Sequence, residues 1–281
     1  MSYATVVLHL DVHAGLDDRI DQASRLARRF ESHLVGLAAA DHGLFGLSVA
    51  TGFSGTPKLA QAVEESRATA RACAARFQQR MGLSTAPASF EAVVEEDDAV
   101  TALVRRSTGC DLLVLGQPDP AWPDHARCRD ELEQVVLQSA APTLVLPFAG
   151  KHALSADKVM IAWDGSHEAA RAVTGALPLL QRATWVHVVR CETAVDIDRG
   201  AESSGFDLPR EWLGRHGVRI DASLERSGKD VCTALLARAA TLDADLIVMG
   251  AWGMPRWAER LVGGTTRSML SSMDVPLLMS H

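Results

Sequence analysis

The sequence predicts an α/β fold of two tandem doubly wound domains, each a five-stranded parallel sheet flanked by helices. Three observations carry this expectation. Short β-rich apolar runs alternate with helical stretches, as in parallel sheets with crossover helices. An internal repeat divides the chain. The length of 281 residues suits two domains at roughly 100–200 residues each.

The repeat is most legible in the fourth strand. Asp111-Leu112-Leu113-Val114-Leu115-Gly116 is echoed by Asp245-Leu246-Ile247-Val248-Met249-Gly250, at an offset of 134. At the same offset Ala141-Pro142-Thr143-Leu144 falls on Val275-Pro276-Leu277-Leu278. The first strand repeats at an offset of 153, Thr5 to Asp11 matching Lys158 to Asp164, so 19 residues are missing from the second half between its second and third strands. The expected domains are 1–149 and 150–281, with the seam near Phe148-Ala149-Gly150-Lys151.

In the first domain, strands fit 4–10, 33–39, 89–94, 111–116 and 143–147, with helices near 16–32, 57–81, 97–108 and 127–139. The first helix carries an apolar stripe of Ile20, Ala23, Leu26, Ala27 and Phe30. In the second, strands fit 158–163, 184–190, 218–224, 245–250 and 276–279, with helices near 167–182, 207–216, 228–241 and 264–273. Its second helix is the shortened one.

Composition narrows the function classes. Lys and Arg number 28 against 35 Asp and Glu, a formal charge of −7, so no global positive field draws the chain to nucleic acid. Residues 1–11 lack a cationic leader, and no window approaches the ~18 uninterrupted apolar residues of a membrane span. A cytoplasmic protein with no nucleic-acid or membrane partner is expected. Five scattered cysteines, with no Cys-x-x-Cys pair, suggest neither a disulfide framework nor a zinc ribbon.

Ligands of open parallel sheets sit at the carboxyl ends of the strands. There the second half places Asp164-Gly165-Ser166, then Gly250-Ala251-Trp252-Gly253, nine residues, and Gly263-Gly264-Thr265-Thr266 opening the last helix. Glycines admit a ligand close to the backbone, and amides at a helix N-terminus suit a phosphate. An Asp at the tip of the first strand can accept from a ribose hydroxyl or an adenine amine.

Gly-x-x-Gly, nine residues, then Gly and a hydroxyl residue resembles the nucleotide signature of the universal stress proteins, as does Ile161-Ala162-Trp163-Asp164-Gly165-Ser166. Together with the Val-Pro-Leu-Leu ending, the resemblance covers nearly the whole chain and is to a tandem, two-domain member. It implies an adenine nucleotide alpha hydrolase-like fold, a stress-response or regulatory role, and ATP or another adenine nucleotide, with Mg²⁺, in the C-terminal domain only. Asp164 would meet the adenosine, Val188 would offer backbone groups to the base, and Met249, Gly250 and Gly253 would line the ribose and phosphates. Gly263, Gly264 and Thr265 would hold the phosphate tail. It further implies an intramolecular pseudo-dimer through the last strands, and a homodimer of such chains. Gly264 departs from the pattern, which has Ser or Thr there. The lost hydrogen bond to a charged phosphate is worth ~1.5–3 kcal/mol, or roughly one to two decades of affinity. Thr265 is turned about 100° around the helix from that position.

At the 134 offset the first half replaces Gly253, Gly263 and Gly264 with Asp119, Arg129 and Asp130, in a loop carrying Pro118, Pro120 and Pro123. That unit is expected not to bind ATP in this mode. With no base beyond Asp164 and no carboxylate pair for Mg²⁺, weak ATP hydrolysis at most is expected. An alternative is an interaction module whose crevice is empty or differently occupied, and a third reading is an adenylate-handling enzyme of related fold. Trp252 and Trp257 fit loop packing and base stacking equally. His9, Asp11 and His13 share a strand face at metal-ligand spacing, but ordinary histidines beside a strand-end Asp are expected and no metal is assigned. Ser227-Gly228-Lys229-Asp230 reads as a capped helix start, Ser227 at the N-cap. The Arg25–Arg29 turn reads as a solvated face paired with Asp17, Asp18 and Asp21.

Overall fold

Strands and helices alternate along both repeats. The first runs β1 (Thr5–His9), α1 (Leu16–Phe30), β2 (His33–Ala39), α2 (Pro57–Leu83), β3 (Ser89–Glu95), α3 (Ala99–Ser107), β4 (Leu112–Gly116), α4 (His125–Gln138) and β5 (Thr143–Leu146). The second runs β6 (Lys158–Ala162), α5 (His167–Leu180), β7 (Trp185–Glu192), α6 (Asp207–Arg215), β8 (Asp221–Arg226), α7 (Val231–Leu242), β9 (Leu246–Gly250), α8 (Thr265–Ser272) and β10 (Leu277–Ser280). The computed structural model describes residues 2–13, 15–40, 57–83, 89–149, 154–192, 205–226, 230–252 and 264–281. The chain forms two compact units, Ser2–Ala141 and Pro142–His281. β5, assigned from sequence to the first domain, groups with the second unit.

In the first unit the strand order is β3-β2-β1-β4, every pair parallel. The second unit has the order β5-β10-β9-β6-β7-β8. Its pairs are parallel except β10 with β5, where Leu277 opposes Val145 and Met279 opposes Thr143 in antiparallel register. The fold class is therefore the expected α/β type with a mostly parallel sheet, and each repeat contributes five strands. The strand order reverses between β1 and β4 in the first unit and between β6 and β9 in the second, so a crevice opens at their carboxyl ends.

One carboxylate per unit sets the register of these central strands. Asp111 Oδ2, just before β4, accepts from the amides of Ala4 and Thr5, both at 2.8 Å. Asp245 repeats the contact before β9, accepting from Asp157 N at 3.0 Å and Lys158 N at 3.1 Å, and also holds Ser155 Oγ. The aspartate heading both copies of the repeated hexapeptide is thus a staple between strands far apart in sequence.

Helix boundaries follow local chemistry. The α1 stripe is buried as expected. Its acids, however, pair with the next helix: Asp17 with Arg76 and Arg80, and Asp21 with Arg80. Asp21 also keeps an electrostatic interaction with Arg25 of its own helix, as the sequence suggests. Phe77 of α2 is fully buried, 6.0 Å edge-on from Phe90, and a Cβ on Gly36 would lie 2.8 Å from its ring. α2 has 27 residues and α6 only nine, which accounts for the shortened second repeat. Asp98 caps α3 through Thr101 N. The N-cap of α7 is Asp230, accepting from Thr233 N at 3.1 Å. This corrects the assignment of that role to Ser227, which lies outside the described residues; the carboxylate three residows before Thr233 reaches the amide that a cap must satisfy. All five cysteines are free thiols. Among the described residues no helix is long and apolar enough to cross a membrane.

Replacing Asp245 by Ala frees two backbone amides and is expected to lower stability by about 1–3 kcal/mol, with Asp111→Ala costing a similar amount. Urea unfolding measures both, and an unchanged midpoint in each variant would remove the staple from the stabilising interactions.

Candidate functional site

The second unit's crevice lies beyond β6 and β9. Asp164 follows β6 and is exposed. Its Oδ1 accepts from Ser166 N at 2.9 Å, while Ser166 Oγ caps α5 by accepting from Ala169 N at 3.1 Å. Gly165 between them has φ +81, the left-handed region that glycine enters without a Cβ penalty. Sequence places this turn so that α5 starts directly behind Asp164.

Gly250 ends β9. A Cβ there would lie 2.5 Å from Ala169 N and 2.8 Å from Glu168 C, so the glycine lets the strand end approach the first turn of α5. Met249 and Val188 are buried beneath the crevice. Val188 sits inside the sheet, opposite Ile161 on one side and Ala222 on the other. Gly264 is the N-cap of α8 and supplies no side-chain hydrogen bond, with Ser268 N bonding back to its carbonyl at 3.1 Å. Thr265 is the first helical residue and half-buried. Gly253, Gly263 and Trp257 lie outside the described residues.

Two residues near this loop have roles that spacing alone did not assign. Thr266 is 2% exposed and its hydroxyl accepts from Trp252 N at 3.1 Å. Trp252 itself is buried at φ +52. Trp252 is therefore tied to the start of α8, where the hydroxyl that turns inward is that of Thr266. His281 also closes on this edge, its Nδ1 2.8 Å from Ala251 O, while its carbonyl accepts from Arg171.

The first unit has the same strand tip with different company. Asp11, equivalent to Asp164 at the 153 offset, accepts from His13 N at 2.9 Å through Oδ1, as Asp164 does from Ser166. It is also paired with Arg19 of α1, whose side chain is 5% exposed. The position equivalent to Arg19 is Ala172. Asp119 uses its side chain on Ala121 N at 2.8 Å and its carbonyl on Trp122 N at 3.0 Å, and Trp122 stands edge-on to His13 at 4.9 Å. These two amides are already satisfied within the loop. The cleft that remains, bordered by His9, Asp11, His13, Gly116, Cys128 and Glu131, holds about 40 Å³ of free space, room for a few waters. Among the described residues no cluster of three or more His, Cys, Asp or Glu is arranged to hold a metal, and His9, Asp11 and His13 form no such cluster.

Electrostatics follow from this packing. Burial pushes the Asp11 carboxyl up, but Arg19, His9, His13 and the His13 amide together outweigh it and hold the group below the usual carboxylate range. Burial lowers His9 below the ordinary imidazole value, against an opposing pull from Asp11. Both groups lose stabilisation on acidification. The contribution of His9 is full above about pH 6.5 and is lost as pH falls toward its lowered folded value, and that of Asp11 is full above about pH 4 and is lost below it. Urea unfolding between about pH 7 and pH 5 is expected to show falling stability, flattened by His9→Gln; an identical slope in that variant would contradict the buried neutral imidazole.

Comparison with known proteins agrees with this geometry. A family model described as the universal stress protein family matches residues 155–281. No curated protein matches the chain. Among solved structures, a universal stress protein from Archaeoglobus fulgidus DSM 4304 is similar at TM-score 0.72 and 16% identity, covering 98% of this chain and 94% of its own. A functionally unknown protein from Pseudomonas aeruginosa PAO1 is similar at TM-score 0.56 and 16% identity, over 98% of this chain and 92% of its own. A putative universal stress protein from Pseudomonas aeruginosa UCBPP-PA14 gives the same values. At such identities these structures share the fold. The family match itself rests on residues 155–281, just under half of the chain.

Proposed function

We propose that the second unit holds an adenine nucleotide, ATP first among them, at the carboxyl ends of β6 and β9, and that the chain acts as a nucleotide-dependent stress-response or regulatory protein. The observation that carries this reading is the exposed Asp164 at the strand tip, fixed by the Gly165-Ser166 turn, in the unit whose last helix starts at a glycine that makes no side-chain cap. Asp164 would accept from the adenosine. Val188 and Met249 form the buried floor, and Gly250, Gly253, Gly263, Gly264 and Thr265 would border the ribose and phosphates. Amides at the start of α8 and its dipole favour a phosphate tail. Mg²⁺ would arrive with the phosphates, where it would offset their charge.

Catalysis is not the primary role in this reading. Asp164 is already turned to the Ser166 amide and no second carboxylate is placed beside it in the named set, so hydrolysis is slow at most. The antiparallel pairing of β5 with β10 supports a pseudo-dimer in which the closing strands of the two repeats meet within one chain. A second reading, an interaction module without a nucleotide, is favoured by one observation: Gly264 supplies no hydroxyl where the family pattern has one.

Trp163 precedes Asp164 and donates its indole N–H to Gly205 O at 3.1 Å, so its fluorescence reports on the crevice. ATP is expected to change that signal saturably, with Asp164→Ala weakening binding by about tenfold or more and Gly264→Ser tightening it by roughly one to two decades. No change at millimolar ATP in either the native chain or Gly264→Ser would favour the interaction module.

A further inference from the structure

The prolines of its loop are one reason that the first unit offers no nucleotide site; Arg19 supplies a second. The helices α1 and α5 bury equivalent positions at the 153 offset: Leu16 and Ala169, Ile20 and Val173, Ala23 and Ala176. At one such position the chemistry diverges, with Arg19 in the first unit and Ala172 in the second, both buried. The Arg19 guanidinium pairs with Asp11 and lies over the end of β4, where a Cβ on Gly116 would be 2.6 Å from its Nη1 and 2.8 Å from its Cζ. Gly116 is thus the residue that admits the guanidinium, whereas its counterpart Gly250 admits the backbone of α5. The Nε of Arg19 has no acceptor among the described residues, so the Asp11 carboxylate is the counter-charge that holds this cation.

We propose that Arg19 is a resident ligand of the first unit: its guanidinium occupies a planar cation site built from Asp11 and Gly116, and closes the crevice that the second unit leaves open at Asp164. The site is selective for a flat, monovalent, hydrogen-bond-donating cation of the guanidinium class. It takes that group from its own chain, and the Asp11 side chain is left only 12% exposed. A buried carboxylate deprived of its cation is costly, so removing the side chain creates both a vacancy of guanidinium shape and a charge to attract an occupant. The inference concerns the first unit alone and stands whether or not the second unit takes a nucleotide.

Chemical rescue in the full-length chain tests this. Arg19→Ala is expected to melt several degrees below the native protein, and about 10 mM guanidinium chloride, compared with sodium chloride at equal ionic strength, is expected to raise its melting temperature by about 2–4 °C. The native protein, whose site is filled, should show no rise, and Arg19→Ala combined with Asp11→Asn should lose the response. Should Arg19→Ala fail to fold, Arg19→Met keeps the apolar stem and vacates only the guanidinium position, and must show the same rescue. A guanidinium response equal in the native and Arg19 variants, or one that survives Asp11→Asn, would overturn the proposal.

Discussion

A carboxylate drawn out of water at the tip of a strand must be given donors or a counter-charge, because an unpaired buried charge costs several kcal/mol, on the order of 3–5 when its partner is removed. The two units meet this demand differently. Asp11 is half-buried and receives Arg19 in addition to a backbone amide. Asp164 is exposed and takes the equivalent amide while keeping its face to solvent. One substitution in the following helix, Arg19 against Ala172, separates a strand-tip carboxylate that is paired from within the chain from one that stays exposed.

The same residue type does structural work at the opposite end of the strands. Asp111 and Asp245 each clamp the amino end of the fourth strand to the start of the first. With β1 and β4, or β6 and β9, held in register, their carboxyl ends are brought level, and the crevice inherits its geometry from a contact at the other edge of the sheet. Gly116 and Gly250, at the far end of the same hexapeptides, then differ only in what they admit: a guanidinium in one unit, a helix turn in the other.

Much of the fold was legible because it rests on periodicity. The alternation of strands and helices, the two offsets and the short second helix of the second repeat all recur in the structure. The antiparallel pairing of β5 with β10 was not legible, because sequence order says nothing of which sheet edge a strand completes. The cap of α7 fell on Asp230 and not Ser227 because several hydroxyl and acidic residues crowd that helix start, and only geometry selects among them. Of the crevice, Asp164 and its turn could be read directly. Thr266 could not, since adjacent threonines look alike until one is buried. Arg19 was invisible for a related reason: on an amphipathic helix rich in Arg and Asp, a single arginine gives no sign that it turns inward. Comparing equivalent positions of the two repeats, where Arg19 faces Ala172, is the signal that could have found it.

The central claim is that one strand tip is open and the other is filled from within. The most direct measurement is the stoichiometry of ATP bound to the full-length chain by titration calorimetry, in the native protein and in the Asp164→Ala and Asp11→Asn variants. One nucleotide per chain, weakened by Asp164→Ala and retained in Asp11→Asn, is the result expected. Two nucleotides per chain, or a single one whose affinity follows Asp11 and ignores Asp164, would contradict it.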